Sequence, residues 1–112
     1  HRIEAGSDFF VMPSRFEPCG LNQLYSLRYG TIPIVHAVGG LCDSVIDIEE
    51  VSGTGITYRG HLPAYLTRAI HRAIGLYGDS HRMSKVIKAG MVADFSWAAS
   101  AQKYQQIYQR GE

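Results

Sequence analysis

Three features of the sequence predict an α/β fold. Two apolar runs of strand length, Asp8-Phe9-Phe10-Val11-Met12 and Ile32-Pro33-Ile34-Val35, flank a segment with helical periodicity, and a Gly39-Gly40 turn follows the second run. Strand, loop, helix, strand and glycine turn in that order spell a βαβ unit, whose crossover makes the two strands parallel. Helical patterns then crowd the second half. The expected architecture is a partial Rossmann-like domain: a short parallel sheet of about three strands and a helix-rich C-terminal half.

Each element has a local reason. His1-Arg2-Ile3-Glu4-Ala5-Gly6 reads as the last turn of a helix closed by glycine, with no start signal of its own, so a segment is expected upstream. The run at 8–12 is apolar throughout and ends at Pro13, which suits a strand buried on both faces. Between 20 and 29, Leu21, Leu24, Tyr25, Leu27 and Tyr29 recur at helical intervals and Gly30 closes the segment, which predicts a buried helix. Residues 41–48 fit either a short helix or an extended segment. The loop Ser52-Gly53-Thr54-Gly55 leads into a short strand, Ile56-Thr57-Tyr58. In the next helix Leu62, Leu66, Ile70 and Ile74 form the apolar face, Arg68, His71 and Arg72 lie off it, and Pro63 fits the first turn. A further helix over 80–91 carries Met83, Val86 and Ile87. Ser96 is the N-cap of a last helix whose Trp97, Ala101, Tyr104 and Tyr108 line up at steps of three and four. That aromatic row either stacks on sugar rings or belongs to the core, and its spacing favours the core.

Composition narrows the function. The chain has 112 residues, of which 46% are hydrophobic and 19% charged, with a formal net charge of +1; this suits one modest domain over 1–112. Three strands are few for a doubly wound sheet, so the chain is expected to be a piece of a larger protein. No apolar stretch approaches a membrane span and no signal-peptide pattern opens the chain. Lys and Arg are scattered, so neither nucleic acid nor a membrane is an expected partner, and a polyanion must be gripped locally. Cys19 and Cys42 make no CxxC pair and no disulfide framework, which points to a reducing, intracellular compartment. The five histidines show no zinc-ligand spacing, so no metal is expected.

The chemistry concentrates in Pro13-Ser14-Arg15-Phe16-Glu17-Pro18-Cys19-Gly20-Leu21-Asn22-Gln23. This run follows a strand and opens a helix, the place where open α/β sheets bind ligands. Glu17 lies between two prolines and is either a hydroxyl-binding acid or a plain surface carboxylate at a helix start. Gly20 permits close approach, so the amides of Cys19, Gly20 and Leu21 are candidates to meet a phosphate, with the helix dipole behind them. Arg15 either binds an anion or pairs with Glu17. Cys19 reads as a small residue packed under the loop rather than a nucleophile, since no local histidine activates it. Gly39-Gly40 is a second candidate cradle or a tight turn; it lacks the spacing of a dinucleotide fold and of a P-loop. His36, at a strand end, is a ligand contact or a structural histidine. Arg59, Arg68 and Arg72 read as a solvated face.

Together with Ala5-Gly6-Ser7-Asp8-Phe9-Phe10, Tyr29-Gly30-Thr31, Gly39-Gly40-Leu41, Gly53-Thr54-Gly55 and Phe95-Ser96-Trp97, this run closely resembles the C-terminal domain of bacterial glycogen synthases and plant starch synthases. These are retaining glycosyltransferases of GT-B architecture. The resemblance implies transfer of glucose from ADP-glucose to the nonreducing 4-hydroxyl of an α-1,4-glucan, with no metal or other cofactor. It assigns Glu17 to catalysis, beside the donor glucose, and Ser14, Arg15, Cys19, Gly20, Leu21, Asn22, Gly39 and Gly40 to nucleotide-sugar binding. It also implies an N-terminal partner domain that carries further catalytic groups, so this piece alone is expected to be inactive. The compartment implied is bacterial cytoplasm or plant plastid. Two positions depart from wider patterns. Eight residues after Glu17 stands Tyr25, where many retaining GT-B families have a second glutamate, as is usual in the glycogen and starch synthase branch. Val38 stands where a Thr or Ser usually precedes the glycine pair, removing one phosphate-facing hydroxyl. The alternatives are a non-catalytic nucleotide-sugar-binding or regulatory module, or a related transferase using another nucleotide sugar.

Overall fold

Five consecutive residues with apolar or compact side chains, Ile32–His36, form the buried middle strand of a parallel three-stranded sheet in the computed structural model, which describes residues 1–111. This strand, β2, pairs on one side with β1 (Phe9–Met12), in the register Phe9 to Ile32 and Met12 to Val35. On its other side it pairs with β3 (Ile56–Tyr58), Ile34 standing beside Ile56 and His36 beside Tyr58. The α/β class and the three strands are those expected from the sequence. One expectation fails: β1 is an edge strand among the described residues, and Val11 is 42% exposed rather than buried on both faces. The continuous buried pattern belongs to β2, which has neighbours on both sides.

Around the sheet run α1 (Arg2–Ala5), α2 (Asn22–Tyr29), α3 (Gly40–Ser44), α4 (Pro63–Tyr77), α5 (Ser80–Val92) and α6 (Trp97–Arg110). Gly6 follows α1, as expected, and Gly30 closes α2 in the left-handed conformation at φ +80°. The undecided segment at 41–48 resolves into both readings: a short helix over Gly40–Ser44, then extended backbone from Val45 and an isolated parallel bridge between Asp47 and Gly55. Asp79 and Ser96 cap α5 and α6, accepting from the amides of Arg82 and Ala99 at 3.1 and 3.2 Å.

The main core lies on one face of the sheet, where Ile32, Ile34, Ile48 and Ile56 meet Ala69, Ala73 and Leu76 of α4 and Met83 and Val86 of α5. A smaller cluster of Met12, Val35, Leu41 and Val45 fills the other face. The inward face of α4 is therefore not the row Leu62, Leu66, Ile70, Ile74. Leu62, Ile70 and Ile74 are exposed, while Ala69, Ala73 and Leu76 are buried. The reason is geometric. Steps of four advance about 40° past a full turn, so three such steps wind about 120° around the helix, whereas mixed steps of four and three return to one face. Alanine on that face also lets the helix approach the sheet closely.

Two further expectations are corrected. The aromatic row of α6 is not core: no residue of this helix is buried, and Trp97, Tyr104 and Tyr108 are 92%, 65% and 77% exposed. Its period describes a stripe along one helix, and a stripe becomes core only when another element covers it. Arg72 is not part of a solvated face. Its guanidinium donates to the Thr57 carbonyl at 3.1 Å and to Asp47 at 2.5 Å, tying α4 to the entrance of β3. Arg82 reaches Glu49 at 3.2 Å and extends this network to α5.

Burial alone would raise the carboxyl pKa of Asp47. Hydrogen bonds from Arg72, from the amides of Thr57 and Glu49 and from the Thr57 hydroxyl outweigh it and hold the group below its ordinary 3.8. A depressed carboxyl stabilises the fold above the unfolded-state pKa, and that contribution is lost as pH falls through the depressed folded value. Asp47→Asn is therefore expected to lower stability at neutral pH by about 1–2 kcal/mol, and to flatten the dependence of the urea midpoint on pH below 3.8. Urea titrations of both forms between neutral and acid pH check this.

Candidate functional site

The loop between β1 and α2 leaves the sheet at Pro13, and its carbonyl groups are bound to the protein body. The His36 ring, 5% exposed, bonds through Nδ1 to the Ser14 carbonyl at 2.6 Å, and because a carbonyl only accepts, Nδ1 carries the proton. The Gly40 amide donates to the Glu17 carbonyl at 3.0 Å. The Gln23 side-chain nitrogen donates to the carbonyls of Cys19 and Gly20, both at 2.9 Å. Four carbonyls of the loop thus face inward.

The amides behave differently. Gly20 N–H donates to Oε1 of Glu17 at 3.1 Å, so the loop holds its own carboxylate in place. The N–H groups of Cys19, Leu21 and Asn22 make no hydrogen bond among the described residues. Carbonyls inward and amides outward at the start of an eight-residue helix form a donor-lined surface suited to an anion or an electron-rich oxygen. Oε2 of Glu17 is likewise unpartnered among the described residues and half-buried beside those amides. The arrangement can accept hydrogen bonds from hydroxyls at Glu17 and donate hydrogen bonds to phosphate oxygens one turn away.

The sequence-predicted site residues fall into two groups. Glu17, Cys19, Gly20, Leu21 and Asn22 come together at the α2 entrance, and Gly39 and Gly40 lie directly against them. A Cβ on Gly39 would overlap the Glu17 carbonyl oxygen, and one on Gly40 would overlap the backbone of Cys19. The glycine pair thus has a packing reason that holds with or without a ligand, and Gly39 also has φ +50°, which favours glycine. Ser14 and Arg15 sit at the other end of the loop. Arg15 forms no ion pair with Glu17 among the described residues; it lines a separate cleft with Pro13, His36, Tyr58 and His61. The His36 ring stacks on Tyr58 with centroids 5.3 Å apart, and burial pushes the Tyr58 phenol above its ordinary pKa. His36 is thus a structural brace for the loop.

Cys19 departs from expectation: its side chain is exposed, not packed under the loop, while the Gln23 amide lies against Gly20. Cys42 is also free and exposed. No cluster of three or more His, Cys, Asp or Glu side chains suited to a metal occurs among the described residues, and no helix there is long and apolar enough to cross a membrane. The residue missed as a candidate is Gln23. Its signal was present: a polar residue in phase with Leu27, four positions later, on the buried face of α2.

Residues 2–89 match the family model described as glycosyl transferases group 1. The chain is 51% identical over 109 residues to a glycogen synthase of Anaeromyxobacter sp. (strain K), and 51% identical over 113 residues to glycogen synthase 1 of Methylococcus capsulatus. Each alignment covers 96% of this chain but 23% of the relative, so the chain spans about a quarter of the length of these curated relatives. Among solved structures, the catalytic domain of starch synthase IV from Arabidopsis thaliana, bound to ADP and acarbose, superposes with a TM-score of 0.85 at 39% identity, over 96% of this chain and 23% of that one. A sucrose-phosphate synthase from Thermosynechococcus elongatus superposes with a TM-score of 0.70 at 31% identity, over 96% of this chain and 26% of that one. The family match takes in the sheet, the loop that bears Glu17 and the helices that hold it, and the chain belongs to the glycosyl transferases group 1 family.

Proposed function

We propose that this chain is the donor-binding part of a glycogen or starch synthase that moves glucose from ADP-glucose to the nonreducing end of an α-1,4-glucan with retention. The observation that carries the reading is the loop at the α2 entrance, with carbonyls tied inward, amides free and the Glu17 carboxylate held at its edge. A nucleotide diphosphate sugar offers the matching surfaces. Its phosphate oxygens accept from the amides of Cys19, Leu21 and Asn22, and its glucose hydroxyls donate to Glu17. Support comes from the similarity to glycogen synthases and to a starch synthase whose solved structure is bound to ADP and acarbose.

In this reaction the bond from C1 of glucose to the diphosphate oxygen breaks, and a bond from C1 to O4 of the acceptor forms on the same face. The acceptor hydroxyl proton passes to a phosphate oxygen of the departing ADP. Positive charge builds on the sugar ring and negative charge on the leaving group. In this reading Glu17 supports the first and the outward amides support the second. The outward amides at the α2 entrance supply the hydrogen-bond donors and partial positive charge that a metal could otherwise bring to the diphosphate, so no metal enters the proposal. Ser14 and Arg15 lie at the other end of the loop, where the Ser14 carbonyl is bound by His36 and Arg15 lines a separate cleft. The remaining groups, including the acceptor site, belong to an N-terminal partner domain of the parent enzyme, and the compartment is a reducing, intracellular one.

Two measurements test this. In the parent enzyme, Glu17→Ala and Glu17→Gln are each expected to lower kcat with ADP-glucose by about a hundredfold or more; full activity in either variant rules out the role given to Glu17. The 112-residue chain alone, incubated with ADP-glucose or UDP-glucose and an α-1,4-glucan, is expected to transfer no detectable glucose. The parent enzyme is expected to prefer ADP-glucose over UDP-glucose, as read from kcat/KM for the two donors.

A further inference from the structure

A glutamine is seldom fully buried, yet Gln23 is 0% exposed. Its Nε2 lies 2.9 Å from the Cys19 carbonyl, 2.9 Å from the Gly20 carbonyl and 3.1 Å from Oγ of Ser44 in α3. Two carbonyl oxygens require a donor, which settles the amide orientation: the reversed side chain would set oxygen against oxygen. Ser44 gives its own hydrogen to the Gly40 carbonyl at 2.7 Å, so its oxygen is left to accept, sharing one of the two Nε2 hydrogens with a carbonyl. The orientation leaves Oε1 of Gln23 buried with no partner. A side chain selected only to fill space would not carry that unpaired acceptor, since an apolar residue of similar volume avoids the penalty.

What the amide achieves follows from peptide geometry. In a trans peptide unit the C=O and the following N–H point in opposite directions. Drawing the Cys19 carbonyl inward turns the Gly20 N–H outward, and that N–H holds Glu17 at 3.1 Å. Drawing the Gly20 carbonyl inward turns the Leu21 N–H outward, and that N–H is free among the described residues. Gly20 has φ +67° and lies against the amide so closely that a Cβ there would sit 2.5 Å from Oε1 of Gln23. Through Ser44 and Gly40 the same amide is joined to the glycine turn, whose Gly40 N–H holds the Glu17 carbonyl.

We propose that Gln23 is a positioning residue for the sugar-nucleotide donor: its buried amide sets the direction of the Gly20 and Leu21 N–H groups, and so places Glu17 and the free amide relative to one another. This rests on the reading that the α2 entrance binds ADP-glucose. Gln23 does not touch the donor; it acts through the two peptide units above it. Ser44 is its second support, from α3.

The test uses the full-length enzyme that carries this chain. Gln23→Met keeps the volume and removes both donors, while Ser44→Ala removes only the lateral support. Gln23→Met is expected to raise KM for ADP-glucose and the inhibition constant for ADP by about tenfold, with KM for the glucan unchanged. Ser44→Ala is expected to give a smaller rise in the same donor constants, and the double variant to add little to Gln23→Met. A residue that only supports the fold would lower the thermal midpoint and the fraction of active protein without this split between the two substrates. Donor constants within twofold of wild type in both variants, or equal rises for donor and glucan, would overturn the proposal while leaving the donor reading intact. If Gln23→Met does not fold, Ser44→Ala decides by the same criterion. A wild-type enzyme that fails to use ADP-glucose overturns the donor reading and this proposal with it.

Discussion

The constraint on which the site depends is the close approach of two loops that follow neighbouring parallel strands. The turn after β2 lies so near the loop after β1 that neither Gly39 nor Gly40 has room for a side chain: the first faces the Glu17 carbonyl, the second the backbone of Cys19. This approach lets the Gly40 amide reach Glu17 and brings Ser44, one turn along α3, within reach of Gln23. Parallel strands deliver both loops to the same end of the sheet, and glycine lets them touch. Without that contact the middle of the loop, at Glu17, would lose its tie to the protein body and keep only those at Ser14, Cys19 and Gly20.

The rest of the fold can be understood as support for that end of the sheet. β2 is buried along its whole length and sends His36 up to grip Ser14, while Tyr58 at the end of β3 stacks against the same ring. Behind them, the Asp47–Arg72 pair fixes the entrance of β3 to α4, and α4 and α5 cover the larger core. The loop is therefore clamped along its length by groups from three elements. Such clamping keeps amide groups at fixed directions, which is what the proposed binding of a sugar-nucleotide donor requires. A polar network of this kind contributes less to net stability than to the definition of one geometry.

Much of this was legible beforehand. The βαβ order, the three strands, the caps at Gly30 and Ser96 and the place of the candidate loop, residues 13–23, between β1 and α2 all follow from local pattern. What failed did so for identifiable reasons. The apolar row Leu62, Leu66, Ile70, Ile74 obeys a helical period but winds off the packed face, which the smaller Ala69 and Ala73 occupy. The aromatic row of α6 has an equally good period and no covering element among the described residues. Arg72 reads as a surface charge until Asp47, twenty-five positions earlier, is brought beside it.

The sequence by itself determined the fold class, most of the elements and the segment proposed as the site, because periodicity, glycine and proline placement and strand-to-helix transitions are local properties of the chain. Only the tertiary structure decided how the groups in that segment point. Glu17 is held by Gly20 and the Gln23 amide by Cys19 and Gly20, all close in sequence, but the ties that fix the loop to the protein body join residues far apart in the chain, such as Gln23 with Ser44, Gly40 with Glu17 and His36 with Ser14. Direction is set by a hydrogen-bond partner, and a partner distant in sequence leaves no mark on the local pattern.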